Sequence, residues 1–184
     1  THNQPDIFQL TSTSQNELWA VSGNGKIFLY RKDKEKFVKV EESAYPLKFP
    51  PMAIGEDAEG NLMIGTDGGG VFILNRKQEA LTNLQCNLDK EGTLSSNNVT
   101  SIFTDNDGIT WIGAWKGGIN YSFKYNKGFQ NISHEMNQNN SLIHNNVRFI
   151  FEDHEGDLWI GTSGGLSYLD HTTGKFHNFE QKNQ

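Results

Sequence analysis

The stretch that decides the fold is residues 158–166, which read LWIGTSGGL. Shorter versions of this phrase occur three more times, as LWAVS at residues 18–22, LMIGT at 62–66 and TWIGA at 110–114. The second position of each phrase falls at residues 19, 63, 111 and 159, so successive copies are 44, 48 and 48 residues apart. Self-similarity at a period of roughly 40 to 50 residues is typical of propellers and solenoids.

The register of the copies extends well beyond the phrase itself. Nine residues before each second position stand apolar residues, and six before it stands an Asp in three of four copies, at Asp57, Asp105 and Asp153. Each period holds four short apolar runs separated by polar or glycine-rich turns, which is typical of strands. No stretch keeps the i, i+3, i+4, i+7 apolar spacing of helical repeats.

The pattern therefore predicts an all-β fold of β-propeller blades, with four repeats of four-stranded antiparallel sheets in one segment spanning residues 1–184. The predicted blades lie at approximately residues 6–41, 50–85, 98–133 and 146–180. The repeated Asp-x-x-Gly turn supplies a carboxylate that caps backbone N–H groups and a Gly that tolerates positive φ. The repeated tryptophans, Trp19, Trp111 and Trp159, are expected in the core between blades.

These residues resemble the regulator-propeller repeat, whose pattern is an Asp and Gly turn, then Leu-Trp-Ile-Gly-Thr, then Gly-Gly-Leu. The third and fourth copies match closely, through Asp105, Gly108 and Trp111 and through residues 153–165, and both follow an Asn-Asn-Val start. The second copy has Met63 in place of Trp. The first has Thr13, Asn16 and Asn24 where the pattern has Asp and glycines.

The resemblance implies a context rather than a chemistry. Such repeats form the extracytoplasmic, periplasmic sensor region of hybrid two-component systems in Bacteroidetes, and their usual signals are glycans or oligosaccharides. This segment is then expected to be non-catalytic, relaying a signal across the membrane within a parent chain that carries the histidine kinase.

Composition excludes several other classes. The net charge is −6 with dispersed Lys and Arg, which argues against a nucleic-acid partner. No apolar run of about 18 residues is present, so no membrane span is expected in this segment. One cysteine, Cys86, allows no internal disulfide, and nothing in the sequence indicates a cofactor.

Enzymatic and metal-binding alternatives find little support. The segment around Asp105 fails the EF-hand pattern at both ends, and a metal site at His171 and His177 has no further ligands in sequence. A sialidase-like hydrolase is an alternative, but its Asp-box spacing differs and its arginine cluster is missing, since the three arginines lie in three different repeats. No feature points to a propeller lyase, which stays a lesser alternative.

Four blades without a shared closing blade are expected to be part of a larger ring, with a complete four-bladed ring as the alternative. A cut ring leaves two apolar faces uncovered, so self-association is expected, for example by pairing two four-blade units.

Candidate ligand residues are those that break the repeat, because the repeated positions build the blades. Trp115 stands in a turn where the other copies have Gly23, Asp67 and Ser163. Its ring either stacks on a sugar or covers an adjacent blade. The predicted ligand-binding set is Trp115, Lys116, Arg148, Asp67 and His144. The competing interpretation is a structural or dimerisation scaffold with no small-molecule site in this segment.

Overall fold

The computed structural model of the protein describes residues 7–40, 47–122 and 128–180. Their regular structure is sixteen strands and one 3₁₀ turn at Lys32–Lys34. No helix among the described residues has the length and apolar character needed to cross a membrane. The ends of the first predicted blade, residues 6 and 41, and part of the third lie outside these ranges.

The strands form four separate sheets, each of four sequential antiparallel strands. The first sheet contains β1 (Ile7–Ser12), β2 (Leu18–Ser22), β3 (Ile27–Arg31) and β4 (Lys36–Lys39). The second contains β5 (Pro51–Glu56), β6 (Leu62–Thr66), β7 (Val71–Asn75) and β8 (Ala80–Leu84). The third contains β9 (Val99–Thr104), β10 (Thr110–Ala114), β11 (Gly118–Ser122) and β12 (Gln130–Ile132). The fourth contains β13 (Val147–Glu152), β14 (Leu158–Thr162), β15 (Gly165–Asp170) and β16 (Lys175–Glu180). The predicted fold of four four-stranded antiparallel blades is confirmed.

Each of the first three blades packs its second-strand Trp or Met face on the isoleucine-rich face of the next blade. The three buried clusters between blades contain, in order, Trp19 with Ile54 and Ile64, Met63 with Ile102 and Ile112, and Trp111 with Ile150 and Ile160. Trp19 and Trp111 are 5% and 7% exposed, as expected of core residues. Stacking of this kind buries a continuous apolar core that no single sheet could bury alone.

Trp159 differs from the expectation because it is only half-buried. Its face of the fourth blade has no further blade packed on it among the described residues, and it stacks instead on Phe179 at a centroid distance of 6.3 Å. On the same blade Phe149, Phe151 and Phe179 are all more than half exposed. At the other end Leu10, which corresponds to buried Ile54 and Ile150, is 55% exposed. The blades therefore form an arc with two uncovered apolar ends.

The repeated Asp does more than cap its turn. Asp105 accepts a backbone N–H bond from Ile109 at 2.8 Å and the Trp111 indole N–H at 2.7 Å. Asp153 binds the Trp159 indole at the same 2.7 Å. The aspartate thereby fixes the tryptophan that covers the next blade, which explains why the two residues recur together.

The first blade keeps this bond although its Asp is replaced by Thr13. The Trp19 indole donates instead to the Glu17 carboxylate, at 3.0 Å. The same Glu17 oxygen lies 2.9 Å from the Arg76 guanidinium of the second blade. Glu17 therefore replaces the missing aspartate and also joins two blades.

Candidate functional site

The first strand of each blade, which we call the inner strand, has a β-bulge near its start, and the bulge leaves one residue without a partner in the strand pairing. The pairing of the first and second strands of each blade skips one residue, and in three blades that residue is Met52, Thr100 or Arg148. A bulge redirects a side chain and is common beside binding sites. These three positions face the inner side of the arc, where Thr100 and Arg148 border a cavity of about 550 Å³.

The turn between β10 and β11 carries Trp115 and Lys116 beside this inner edge. The Trp115 N–H donates to the Asn98 carbonyl at 2.9 Å, which ties the turn to the start of β9. Lys116 has a φ of 59°, in the left-handed region that favours glycine, and the corresponding residue of the second blade is Gly68. The third blade therefore holds a lysine in a conformation that is costly for it.

The neighbouring blade holds this turn in place. The Lys116 N–H donates to the Asn146 side chain at 2.9 Å, and the Gly118 N–H donates to the Asn145 carbonyl at 2.9 Å. The Asn-Asn pair before β13 thus forms hydrogen bonds to the β10–β11 turn of the preceding blade. The pair before β9 bonds to the second blade in the same way, since Asn97 accepts from Gly70 at 2.9 Å.

Trp115 is 37% exposed and lies close to Arg148 of the fourth blade. The Arg148 guanidinium carbon lies 5.8 Å from the Trp115 ring centroid, within cation–π range. Arg148 Nε also donates to the Ser163 hydroxyl at 3.3 Å, which orients the guanidinium plane. The ring therefore covers part of a residue of the adjacent blade and keeps more than a third of its surface exposed, while stacking of Trp115 on a sugar stays a prediction.

A second cavity, of about 290 Å³, opens beside Trp115. It is lined by Met52, Asp67, Asn98, Val99, Thr100 and Trp115. Asp67 is fixed through its backbone, whose N–H donates to the Pro50 carbonyl at 2.9 Å, while its side chain is exposed. We call the surface formed by Trp115, Arg148, Asp67, Thr100 and Lys116 the channel mouth.

The structure brings Trp115, Arg148 and Asp67 together from three blades, with Lys116 exposed beside them. His144 and Lys116 line neither of the two cavities, and His144 differs from Lys116 in being half-buried. Its Nδ1 accepts a hydrogen bond from the Asn146 N–H at 2.9 Å. His144 therefore supports the asparagine that holds the Lys116 turn.

Sequence reasoning did not identify Met52, Thr100 and Asn98 as site residues. Thr100 Oγ1 is within 2.6 Å of the Val147 carbonyl and 3.1 Å of the Gly113 carbonyl, so it joins the third and fourth blades. The repeat register could have indicated two of them. Eleven residues before Met63, Trp111 and Trp159 stand Met52, Thr100 and Arg148, so this position differs in residue type from copy to copy.

A second polar cluster lies on the fourth blade. The Asp157 carboxylate accepts the Tyr168 hydroxyl and, at 2.9 Å, the His171 N–H. The hydrogen bond from Tyr168 is the main reason that the pKa of Asp157 is lowered, and the reciprocal bond raises the pKa of Tyr168 to about 12. His177 packs on Tyr168 at 5.7 Å. These bonds connect strands and turns of one blade, so we assign the cluster to stability.

No group of three His, Cys, Asp or Glu side chains in the described part of the chain is placed to hold a metal ion. A larger cavity, of about 870 Å³, lies between β8 and the turns of the third blade, and its described lining contains none of the predicted ligand residues. Its described walls include Cys86 and Leu88 but no tryptophan. Volume therefore favours this groove, whereas the residue types favour the channel mouth.

Two segments of the chain, residues 93–116 and 141–164, match the family described as the two component regulator propeller. The predicted resemblance is confirmed by these regulator-propeller repeats. The first segment contains Trp115 and Lys116, and the second contains His144 and Arg148. A comparison with curated proteins finds no match.

Solved structures share the fold at low sequence identity. The extracellular domain of a one component system from B. thetaiotaomicron is 20% identical with a TM-score of 0.52, and that of a hybrid two component system from the same organism is 18% identical with a TM-score of 0.52. Each alignment covers 97% of this chain and 30% of the other, so the chain spans less than a third of these proteins. Virginiamycin B lyase from Staphylococcus aureus is 14% identical with a TM-score of 0.64, over 95% of this chain and 55% of the lyase. At these identities the likeness shows a shared propeller fold.

Proposed function

We propose that this chain, which carries two regulator-propeller repeats, is a non-catalytic ligand-sensing propeller segment of a hybrid two-component sensor histidine kinase. Its ligand is a glycan or oligosaccharide that binds at the channel mouth. The repeats match a two-component regulator family, and similar folds occur in extracellular domains of such systems. The proposed location is the periplasm, with kinase and phosphorelay activity supplied by the parent protein.

The observation that carries the proposal is the position of Trp115. A flat apolar ring beside hydrogen-bonding groups is what a saccharide needs, because sugar faces are apolar and sugar edges carry hydroxyls. Asp67 and Thr100 supply acceptors in the cavity that Trp115 lines, and the Arg148 guanidinium, near the ring, supplies donors. That cavity is about 290 Å³, close to the lower end of the usual range of small-ligand sites, roughly 300 to 1,000 Å³, and Thr100 also lines the cavity of about 550 Å³ that Arg148 borders.

A ligand bound at the channel mouth would affect how the second, third and fourth blades pack on one another. The residues of the channel mouth come from these three blades, so one ligand would contact all three. The turn that carries Trp115 is also hydrogen-bonded to Asn145 and Asn146 of the next blade. A ligand that prefers one relative position of these blades shifts the population toward it, and this shift is the proposed signal.

The direct test is calorimetry against a panel of neutral and acidic oligosaccharides with the wild-type chain and Trp115→Ala. A ligand should bind the wild type and lose at least about tenfold in affinity, or 1.4 kcal/mol, in the variant. Phe37→Ala is the matched control, because Phe37 is a 40% exposed aromatic on the outer strand β4. Unchanged binding in Trp115→Ala would remove the central residue of the site.

A second candidate function is a scaffold that self-associates through the ends of the arc. The supporting observation is the pair of uncovered apolar faces, with Phe149, Phe151 and Phe179 at one end and Leu10 at the other. Between blades, the same kinds of face pack on each other. Sedimentation velocity should show concentration-dependent dimers that Phe151→Asp weakens, whereas a monomer at high concentration would argue against this function.

A further inference from the structure

The channel mouth carries two cations without an acidic partner. Neither Arg148 nor Lys116 forms an ion pair with any described carboxylate, although the chain has six more acidic than basic residues. Most other lysines and arginines of the described residues also form no ion pair, so these two are distinguished by position: Arg148 lies over the Trp115 ring, and Lys116 follows Trp115 in the same turn. Together they give this part of the surface two positive charges.

Arg148 presents part of its guanidinium to the ligand space. Its Nε is used by Ser163, and its carbon lies near the Trp115 ring, so the plane has a fixed orientation. The two terminal amino groups have no hydrogen-bond partner among the described residues. Such a fork binds a carboxylate with two parallel bonds, which a lysine cannot do.

Lys116 is the second cation of the channel mouth. It is exposed and holds a positive φ where the second blade has a glycine. Other described residues such as Glu79 have a similar φ in exposed turns, so the backbone alone does not mark a site. What places the Lys116 charge at the channel mouth is its position directly after Trp115 in the turn between β10 and β11.

Asp67 fixes the orientation of the ligand. Its exposed side chain belongs to the cavity of about 290 Å³ that Trp115 lines, whereas Arg148 borders the cavity of about 550 Å³, and Asp67 forms no ion pair among the described residues. A carboxylate accepts hydrogen bonds from sugar hydroxyls and repels a second carboxylate. The ligand would therefore place hydroxyls toward Asp67 and its negative charge toward Arg148.

From this arrangement we infer that the saccharide is a uronic-acid sugar, whose carboxylate binds Arg148 with support from Lys116 while its ring stacks on Trp115. This inference rests on the proposed function, because it specifies the ligand class of the same site. It also distinguishes the residues by role, with Trp115 as the general sugar platform and Arg148 as the group that selects charge.

The test compares each acid with its own neutral ester. Trisaccharides of galacturonate, mannuronate and guluronate are titrated as free acids and as methyl esters, by calorimetry and by tryptophan fluorescence. At least one acid should bind tenfold or more tightly than its ester, and the difference should shrink at 0.5 M NaCl compared with 0.05 M, roughly as screening predicts.

Variants locate the effect. Arg148→Gln should abolish the difference between acid and ester, Arg148→Lys should retain only part of it, and Lys116→Gln should reduce it several-fold. Both positions of substitution are exposed, and unchanged circular dichroism and thermal midpoints confirm that each of the three variants is folded.

The outcomes separate the two proposals. Esters that bind as tightly as their acids overturn the uronic-acid inference and leave a neutral glycan site at Trp115 standing. An acid preference that survives in Arg148→Gln also overturns it, because the charge is then recognised elsewhere. Absence of binding by acids, esters and the neutral panel together overturns the proposed function itself.

Discussion

Replacing Lys116 with glycine is expected to stabilise the fold while weakening ligand binding. The Lys116 backbone has a φ of 59°, and left-handed backbone costs a residue with a Cβ about 1 to 2 kcal/mol. Glycine removes that cost but loses about 0.5 to 1 kcal/mol more conformational entropy on folding. The net gain therefore spans roughly 0 to 1.5 kcal/mol and centres near 0.75 kcal/mol, which corresponds to a rise of about 2 to 3 °C in the thermal midpoint of a chain of this size.

Urea denaturation at pH 7 followed by circular dichroism measures the free energy of unfolding, and thermal melts give the midpoint. Lys116→Ala is the control for the backbone argument, because alanine removes the charge and keeps the Cβ, so it should not stabilise. Glu79→Gly is the control for location, since Glu79 has a φ of 51° in the exposed turn between β7 and β8. It should stabilise by a similar amount and leave ligand affinity unchanged.

The reasoning is refuted if Lys116→Gly lowers the free energy of unfolding by more than about 0.5 kcal/mol. In that case the lysine side chain makes contacts whose loss exceeds the relief of backbone strain. Equal stabilisation by Lys116→Ala would also refute it, because the gain would then come from charge rather than from φ.

Gly113→Ala should destabilise by about 1 to 3 kcal/mol, since the new Cβ would lie 2.6 Å from a fully buried valine between the third and fourth blades, and denaturant titration measures the loss. Gly161→Ala, whose nearest neighbour is an exposed phenylalanine ring 1.9 Å away, should cost less than about 1 kcal/mol because that ring has room to turn; equal costs for both variants would mean that the fourth blade is covered in solution. Glu17→Ala should destabilise by about 2 kcal/mol in the same assay, because it removes the acceptor shared by an indole and a partly buried guanidinium, and an effect below about 0.5 kcal/mol would contradict the interblade role. Acid should unfold the chain through Asp157, whose pKa is held below its ordinary 3.8 by the tyrosine hydrogen bond: the stabilisation is present above pH 3.8 and is lost as the pH falls through the lowered pKa. Asp157→Asn should flatten the dependence of unfolding free energy on pH between about 5 and 2, while Glu152, whose pKa is raised mainly by burial, contributes with the opposite sign.

The blades could be predicted from the sequence because each repeated residue has a local physical role. The spacing of an Asp six residues before a Trp is visible in the sequence, and the structure explains it because the Asp carboxylate accepts the indole N–H. The interblade clusters also follow, since alternating apolar residues must be covered on both faces of a central strand.

The substitution of Glu17 for the missing Asp could not be predicted in this way. Its side chain reaches the Trp19 indole from two residues away instead of six, so the repeat register hides the equivalence. The exposure of Trp159 was missed for a different reason. The fourth copy matches the pattern well, but burial of its Trp depends on a following blade and not on its own residues.

The sequence predicted some of the residues that the structure brings together at the channel mouth. Trp115 was identified because it departs from the repeat, and Arg148 and Asp67 were placed near it by the same register. Contacts across blades, such as Thr100 to the Val147 carbonyl, depend on how strands curve in space and leave no mark in the spacing. The role of His144 behind Asn146 also emerges only from three dimensions.

The bulge at the start of the first strand of each blade leaves one residue outside the ladder. Met52, Thr100 and Arg148 occupy this place in three blades, and they are apolar, hydroxylic and cationic in turn. Because the ladder skips the position, its side chain can change without altering the strand pairing, whereas Thr100 also bonds to the fourth blade. A propeller with this bulge can therefore vary the chemistry of its inner surface from blade to blade while the strand pairing of every blade stays the same.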